Sequence, residues 1–228
     1  MNSDSPHLEA VTECEKAAGR KFKKHLKNYQ GMCSEHKGAV RVHRQRDAKE
    51  DCSLGEAVFV PDSDVHHILD SPVMLAISHA IEDLALEHGG GELISTFQDF
   101  KNFAPQKERY LELAEKLDSV RVWGSGEPPE GCRDIDFVYV DDPKVRKYWL
   151  VLYDNPECHA MLLCRQVNRA LKYENKKFVG FYSFNPYLVQ SIRWRFNLLS
   201  SGLAKVLTHW EQSFQFPSVT SQHLQDVA

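Results

Sequence analysis

Residues 92–123 contain the feature that most constrains the fold, because two short apolar runs flank an amphipathic helical pattern. Glu92–Phe97 is predicted as a strand, Pro105–Leu117 as a helix and Val120–Trp123 as a second strand. A strand, a helix and a strand within about 30 residues form a βαβ unit. Its strands run parallel and its crossover is right-handed. The sequence therefore predicts an α/β protein.

The rest of the sheet is predicted downstream of this unit. A turn of the sequence Asp-Asn-Pro-Glu at 154–157 is typical of a hairpin. Five further runs are predicted as strands, because their apolar residues alternate or cluster as in a sheet. They are Ala57–Val60, Ile135–Val140, Tyr148–Tyr153, Cys158–Arg165 and Phe178–Phe184. We take the first of these as an edge strand. The overall prediction is an α/β (α+β) fold with a mixed sheet of five or six strands. One βαβ unit is followed by antiparallel strands, and helices flank the sheet.

Residues 71–88 are predicted as a helix with clear start and stop signals. Ser71 suits the N-cap, Pro72 suits the first turn, and three glycines at 89–91 end the pattern. Its apolar stripe comprises Met74, Ile77, Ile81 and Leu84. The opposite face carries Leu75, His79, Glu82 and Leu86. A surface helix is polar on that side, so the two leucines predict a second contact, with another part of the chain or another subunit. We favour a homodimer through these four residues.

The chain divides into three predicted regions. Residues 1–64 form a helical extension that carries an amphipathic helix at His7–Tyr29. Residues 65–210 form the compact domain, which closes with a long helix opened by Asn185 and Pro186, and residues 211–228 form a flexible tail. Residues 1–52 hold 11 Lys and Arg against 8 Asp and Glu. We interpret this charge as that of a solvated helical tail, with contact to an acidic partner, RNA or DNA as the alternative. The net charge of −4 argues against a nucleic-acid binder.

The cellular compartment is predicted from what the sequence lacks. No apolar run reaches the length of a membrane span, and the first residues contain no signal-peptide core. We therefore expect a cytoplasmic protein without membrane attachment. Its six cysteines are then expected to be reduced thiols. Cys158 and Cys164, at opposite ends of one strand, would lie roughly 20 Å apart, too far for a disulfide.

Two Cys/His sets invite a chemical interpretation. Cys33, His36, His43 and Cys52 are candidate zinc ligands, but structural zinc sites use two tight pairs and the second pair here is widely spaced. We expect no metal. Cys158 and His159 resemble a nucleophile and its base, yet adjacent side chains of a strand point to opposite faces. We assign no catalytic residue, and the sequence does not identify a cofactor.

Several residues are candidates for contact with a small molecule. The turn at Trp123 and Gly124 ends a strand of the βαβ unit, where α/β folds favour ligands, but no nucleotide-binding fingerprint follows. Aromatic residues of the last strand alternate, so one set is expected under the final helix. The other set, with Trp149, is explained by core packing or, alternatively, by an apolar ligand pocket. Arg193 suits an anionic group. The candidate ligand contacts are His79, Trp123, Gly124, Trp149, Tyr182 and Arg193.

The order of these motifs resembles a known family. The segments that carry the resemblance are Ser71–Glu82, Phe97–Gln98, Val122–Gly124, Trp149, Lys176–Phe181 and Phe184–Val189. Together, over about residues 65–207, they are similar to the DICT sensory domain, which accompanies diguanylate cyclases and two-component proteins. The resemblance implies a bacterial, often cyanobacterial, signalling module coupled to light or to other environmental signals. It implies no specific ligand and no catalytic residues. Since no output domain is visible, we expect the module to act in trans.

Three functional hypotheses remain open. The first is a sensory module that binds a small molecule, a chromophore included, or a signalling protein partner. The second is an adaptor without a ligand, which uses the basic N-terminal helix as its partner arm. The third is an enzyme of unrecognised type built around His79, with Glu82 and Asp83 nearby, or around the Trp123–Gly124 turn. We favour the first, because no nucleophile or metal set accompanies His79.

Overall fold

A computed structural model of the chain describes residues 6–30, 67–140 and 145–200. Its helices are α1 (Pro6–Gln30), α2 (Ser71–His88), α3 (Lys107–Lys116) and α4 (Pro186–Ser200). Its strands are β1 (His67–Asp70), β2 (Glu92–Thr96), β3 (Ser119–Gly124), β4 (Asp136–Tyr139), β5 (Tyr148–Asp154), β6 (His159–Gln166) and β7 (Lys177–Ser183). The predicted edge strand at Ala57–Val60, the candidate zinc ligands and the predicted tail lie outside the described residues.

The strands form one mixed sheet in the order β1-β7-β6-β5-β2-β3-β4. β2 and β3, which α3 connects in the chain, pair in parallel as the βαβ prediction requires. β4 is parallel to β3. The pairs β2–β5, β5–β6, β6–β7 and β1–β7 are antiparallel. The predicted fold class is confirmed. The described residues form seven strands instead of five or six, because the four residues of β1 are too few to show a periodicity.

Helices cover both faces of the sheet. Alternate residues of each strand point to opposite faces, so Val122 packs on the α2 face and Trp123 on the α4 face. In the same way Phe178 lies under α2 and Phe181 under α4. The first face also receives α1 and α3. Two apolar layers are therefore separated by the sheet, and the predicted alternation of the aromatic residues in β7 is observed.

The ends of α2 follow from its local sequence, with one correction. Asp70, not Ser71, is the N-cap: its Oδ1 accepts a hydrogen bond from the Val73 amide at 3.1 Å. Ser71 is the first helical residue, and its hydroxyl donates to the Tyr173 carbonyl at 2.6 Å. At the other end Gly91 has φ +71°, and a Cβ there would lie 2.5 Å from the Asp154 carbonyl oxygen. The N-cap thus lies one position before the predicted one, the helix begins at Ser71, and it ends as predicted.

The first helix packs on the domain. Ala18 is buried against α2, and half-buried Phe22 extends the same apolar layer. Near the start of α1, Cys14 forms a disulfide with Cys158, whose Cα atoms lie 6.0 Å apart. The expectation of six reduced cysteines is wrong for this pair. The periodicity of a strand gives distances only between cysteines of that strand. The Cys14–Cys158 pairing depends instead on how α1 packs against the domain, which no local pattern shows.

No helix within the described residues combines the length and the apolar character that a membrane span requires.

Candidate ligand-binding cavity

A cavity of about 570 Å³ opens between α2, the carboxyl end of β2, the turn before α3 and the loop before β7. Its deepest lining residues are buried: Ser78, Glu82, Ser95, Tyr110, Val151 and Phe178. Its mouth is formed by exposed residues: Lys101, Asn102, Pro105, Leu171 and Tyr173. The cavity therefore has a defined interior and a defined entrance, and it lies beside the carboxyl end of a parallel strand, where α/β sheets favour ligands.

Aromatic side chains form much of the cavity wall. Trp149 meets Phe178 edge to face with ring centroids 5.4 Å apart, and Phe97 meets Tyr110 in the same way at 5.7 Å. The Trp149 indole donates to the Ser78 hydroxyl at 2.9 Å, so its ring is held in one orientation. Such fixed rings give an apolar surface that does not have to be ordered when a ligand enters.

The interior end of the cavity is polar. The Tyr110 hydroxyl lies 3.1 Å from Glu82 Oε1 and 2.7 Å from the Ser95 hydroxyl. Arg109 Nε donates to the other carboxylate oxygen of Glu82. Burial, together with the neighbouring Glu82 carboxylate, raises the pKa of Tyr110 well above its ordinary value. Tyr110 is therefore a neutral hydroxyl at neutral pH and can orient a polar ligand group.

Arg109 connects this end of the cavity to the first helix. Its Nη2 donates to Asp83 Oδ1 at 2.5 Å and to the His79 carbonyl at 2.9 Å. The second oxygen of Asp83 lies 2.8 Å from His25 Nε2, which belongs to α1. Burial favours a protonated Asp83, but hydrogen bonds from His25 and Arg109 outweigh it and hold the pKa of Asp83 below its ordinary range. The carboxylate is thus ionised and bridges α1 to α3.

His79 lies within this cluster but does not line the cavity. Its Nε2 is 2.9 Å from Gln106 Oε1, and its ring meets the His25 ring edge to face at 5.2 Å. Glu82 Oε2 is 3.9 Å away, yet Arg109 already neutralises that carboxylate. Burial lowers the pKa of His79, and the attraction of Glu82 only partly opposes this. His79 is therefore a neutral packing residue that orients Gln106 at the cavity wall.

The structure brings few of the predicted ligand contacts together. Trp149 lines the cavity. Trp123 lies on the opposite face of the sheet, against Phe196 of α4 with centroids 5.2 Å apart. Gly124 makes room for protein, not for a ligand, since a Cβ there would lie 2.6 Å from the Phe100 ring.

The two remaining candidates are occupied by other contacts. Tyr182 packs against Phe184 with ring centroids 6.4 Å apart. Arg193 lies on the α4 face, where its Nη1 is 2.6 Å from Asp154 Oδ2 and its Nε is 3.8 Å from Glu92 Oε2. Neither residue lines the cavity.

The α2 face that was expected to be free contacts the chain itself. Glu82 and His79 are buried, and Leu75 and Leu86 are half-buried. Leu75 and Glu82 line the cavity, whereas Leu86 packs against the core. A homodimer through these four residues stays a prediction, but it no longer has an exposed face to support it.

Sequence analysis missed two cationic residues. In the sequence Arg109 occupies an ordinary polar position of an amphipathic helix. The pair Glu82 and Asp83 could have predicted its role, because two adjacent carboxylates on a buried helix need a nearby cation. Lys176 stands out in the sequence only as part of a family-like motif, yet its side chain lines the cavity and donates a hydrogen bond to Gln98 Oε1.

No group of three His, Cys, Asp or Glu side chains within the described residues is arranged to hold a metal ion.

Comparison with known proteins gave one finding. No curated protein and no solved structure matches the chain. A family model, described as the sensory domain in diguanylate cyclases and two-component system (DICT), matches residues 53–167. The match contains α2, α3 and strands β1 to β6, and most of the cavity lining; the mouth residues Leu171 and Tyr173 follow it. Since the matched segment spans half of the chain, the protein belongs to the DICT family of sensory signalling domains.

Proposed function

We propose that this sensory domain binds a small molecule in the cavity and relays its presence to the first helix. One observation carries the proposal: Glu82 lines the cavity and also binds Arg109, which holds Asp83 and, through Asp83, His25 of α1. A change at the cavity therefore has a continuous path of polar contacts to α1.

The cavity suits a small molecule in size and in composition. Sites for small ligands commonly enclose about 300–1,000 Å³ and combine apolar walls with a few fixed polar groups. This cavity has aromatic walls and the Glu82–Tyr110 pair at its interior end. If a ligand binds more tightly to one of two arrangements of Arg109, it shifts the population towards that arrangement. Such a population shift would be the signal that reaches α1.

The exposed side of α1 supplies a surface for the output. Among the side chains that the structure describes on α1, residues 13–25, the exposed ones are Glu13, Lys16, Arg20, Lys23 and Lys24, four of them basic. Such a stripe suits an acidic protein partner. The domain would thus receive its signal in the cavity and pass it on through the basic face of α1.

Binding of an apolar fluorescent probe tests the cavity directly. Phenylnaphthylamine should bind the protein with one-to-one stoichiometry and enhanced fluorescence. Leu75→Trp places an indole in the cavity, so it should weaken binding about tenfold or more, the equivalent of roughly 1.4 kcal/mol. Leu86→Trp is the matched control, because Leu86 is a half-buried leucine of the same helix that does not line the cavity.

The outcome separates the proposed function from an adaptor without a ligand. Equal affinity of the wild type and Leu75→Trp, with both folded by circular dichroism, would exclude the cavity as the site. Absence of probe binding to the wild type would favour the adaptor. Native mass spectrometry and an absorption spectrum of protein from its own host would then show whether any ligand is retained.

A further inference from the structure

The mouth of the cavity differs in charge from its interior. The interior carboxylate of Glu82 is neutralised by Arg109. Two lysines line the cavity: Lys101 at the mouth, and half-buried Lys176 in the loop before β7, which also supplies the mouth residues Leu171 and Tyr173. An entering ligand therefore meets an entrance whose charged groups are cationic, then aromatic walls, and finally a polar interior end whose carboxylate is paired with Arg109.

Lys176 is held in place at this entrance by a series of amides. Its ammonium group donates to Gln98 Oε1. The Gln98 amide nitrogen donates to Gln166 Oε1 at 2.9 Å, and Gln166 in turn donates to the carbonyls of Asn168 and Ala170 at 2.9 and 3.0 Å. Because each amide is fixed by the next, the ammonium group is positioned before any ligand arrives.

The charge of Lys176 is not balanced by any carboxylate among the described side chains. Its hydrogen-bond partner is a neutral amide, and an ammonium group has three donors, so two stay available. The side chain is half-buried, and this burial lowers the pKa of Lys176. An anion at this position would restore the electrostatic interaction that burial removes.

The aromatic walls decide what the anion is attached to. Trp149, Phe178, Phe97 and Tyr110 present ring faces and edges along the cavity from the entrance to the interior. Flat ring systems pack favourably on such surfaces. A compact inorganic anion would leave this apolar volume empty.

We propose that the ligand is an aromatic acid, whose ring system fills the cavity and whose anionic group binds the Lys176 ammonium at the mouth. This inference rests on the proposed function and adds the chemical class of the ligand. At the interior end, the Glu82 carboxylate would accept a hydrogen bond from a polar substituent at the far end of the ring system, or the Tyr110 hydroxyl would donate one to it.

A matched pair of probes tests the class. Anilinonaphthalene sulfonate and phenylnaphthylamine share one aromatic body and differ in the sulfonate. The wild type should bind the sulfonate about tenfold more tightly, since a hydrogen bond to a charged group contributes at least that much. Lys176→Met should bring the ratio of the two dissociation constants to about one, and Lys176→Arg should retain much of the preference.

The control variant is Lys172→Met, which removes an exposed lysine of the same loop that does not line the cavity. It should keep the wild-type ratio. Each variant is first shown to be folded by its melting curve, because the sulfonate also binds partly unfolded protein.

The possible failures are distinguishable. If neither probe binds the wild type, the proposed function fails together with this inference. If both probes bind with equal affinity, the cavity binds apolar molecules and the acid assignment is overturned. If Lys176→Met keeps the preference for the sulfonate, Lys176 does not bind the anion, and the assignment is overturned as well.

Discussion

Arg109 resolves a conflict in the sequence of α2. Glu82 and Asp83 are adjacent on a helix whose other residues are largely buried, and buried carboxylates are costly unless they are paired. Arg109 contacts both of them, and the Glu82 and Asp83 carboxylates in turn raise its pKa against the opposing effect of burial. A guanidinium group suits this role because its donors form a rigid fork that can reach two acceptors at once.

Replacement of Arg109 therefore has a predictable effect on stability. Arg109→Met keeps the length of the side chain but leaves Glu82 and Asp83 without their cation. Loss of one partner of a buried ion pair lowers the free energy of unfolding by about 3–5 kcal/mol. Urea denaturation measures this difference. Arg133→Met is the control: Arg133 is exposed, so its loss should change stability by less than about 0.5 kcal/mol. Equal effects of the two substitutions would show that the cluster does not support the fold.

At the scale of elements, strong periodicities and turn residues were informative. The βαβ unit and the antiparallel hairpins followed from runs such as Glu92–Phe97 and from the Asp154–Glu157 turn. The start of α4 was also predicted, and Asn185 Oδ1 indeed accepts from the Tyr187 and Leu188 amides. These features are local, so a single sequence contains the information that determines them.

Contacts between elements that are distant in sequence could not be predicted in the same way. The cavity joins residues from α2, β2, α3, β5 and the loop before β7, and no periodicity shows that they converge. The Cys14–Cys158 disulfide spans 144 residues. The same limitation explains why Trp149 alone of the predicted ligand contacts lines the cavity: its face of the strand was predictable, but its neighbours were not.

The Cys14–Cys158 disulfide joins α1 covalently to the segment before β6. Cross-links that close long loops stabilise proteins by about 2–4 kcal/mol. Reduction by a phosphine should therefore lower the melting temperature of the wild type. The Cys14→Ala variant should melt at the same temperature with or without the reductant, since it lacks the Cys14–Cys158 cross-link. A wild-type melting curve that is unaffected by the reductant would show that the cross-link does not contribute to stability.

For the whole molecule, the question is whether the cavity and α1 form one cooperative unit. Glu82, Arg109, Asp83 and His25 provide a continuous set of hydrogen bonds and ion pairs between the cavity and α1. Spatial continuity alone does not establish coupling. Thermodynamic linkage offers a direct test, because coupled sites must influence one another reciprocally: if a ligand changes the docking of α1, then loosening α1 must change the affinity of the ligand.

His25→Ala loosens α1 without touching the cavity, since His25 is not among its lining residues. Without His25, Asp83 depends on Arg109 alone, which draws the guanidinium group away from Glu82. The Glu82 carboxylate, still bound by the Tyr110 hydroxyl but paired less closely with Arg109, then presents more charge to the cavity. Phenylnaphthylamine should therefore bind about fivefold more weakly, at the lower end of typical coupling energies. Lys24→Ala is the matched control, because Lys24 is the exposed neighbour of His25 on α1. The Lys24→Ala variant should bind the probe with the same dissociation constant as the wild type. Identical affinities for the wild type and His25→Ala would show that the cavity and α1 are independent, and the relay would then have to leave the domain by another surface.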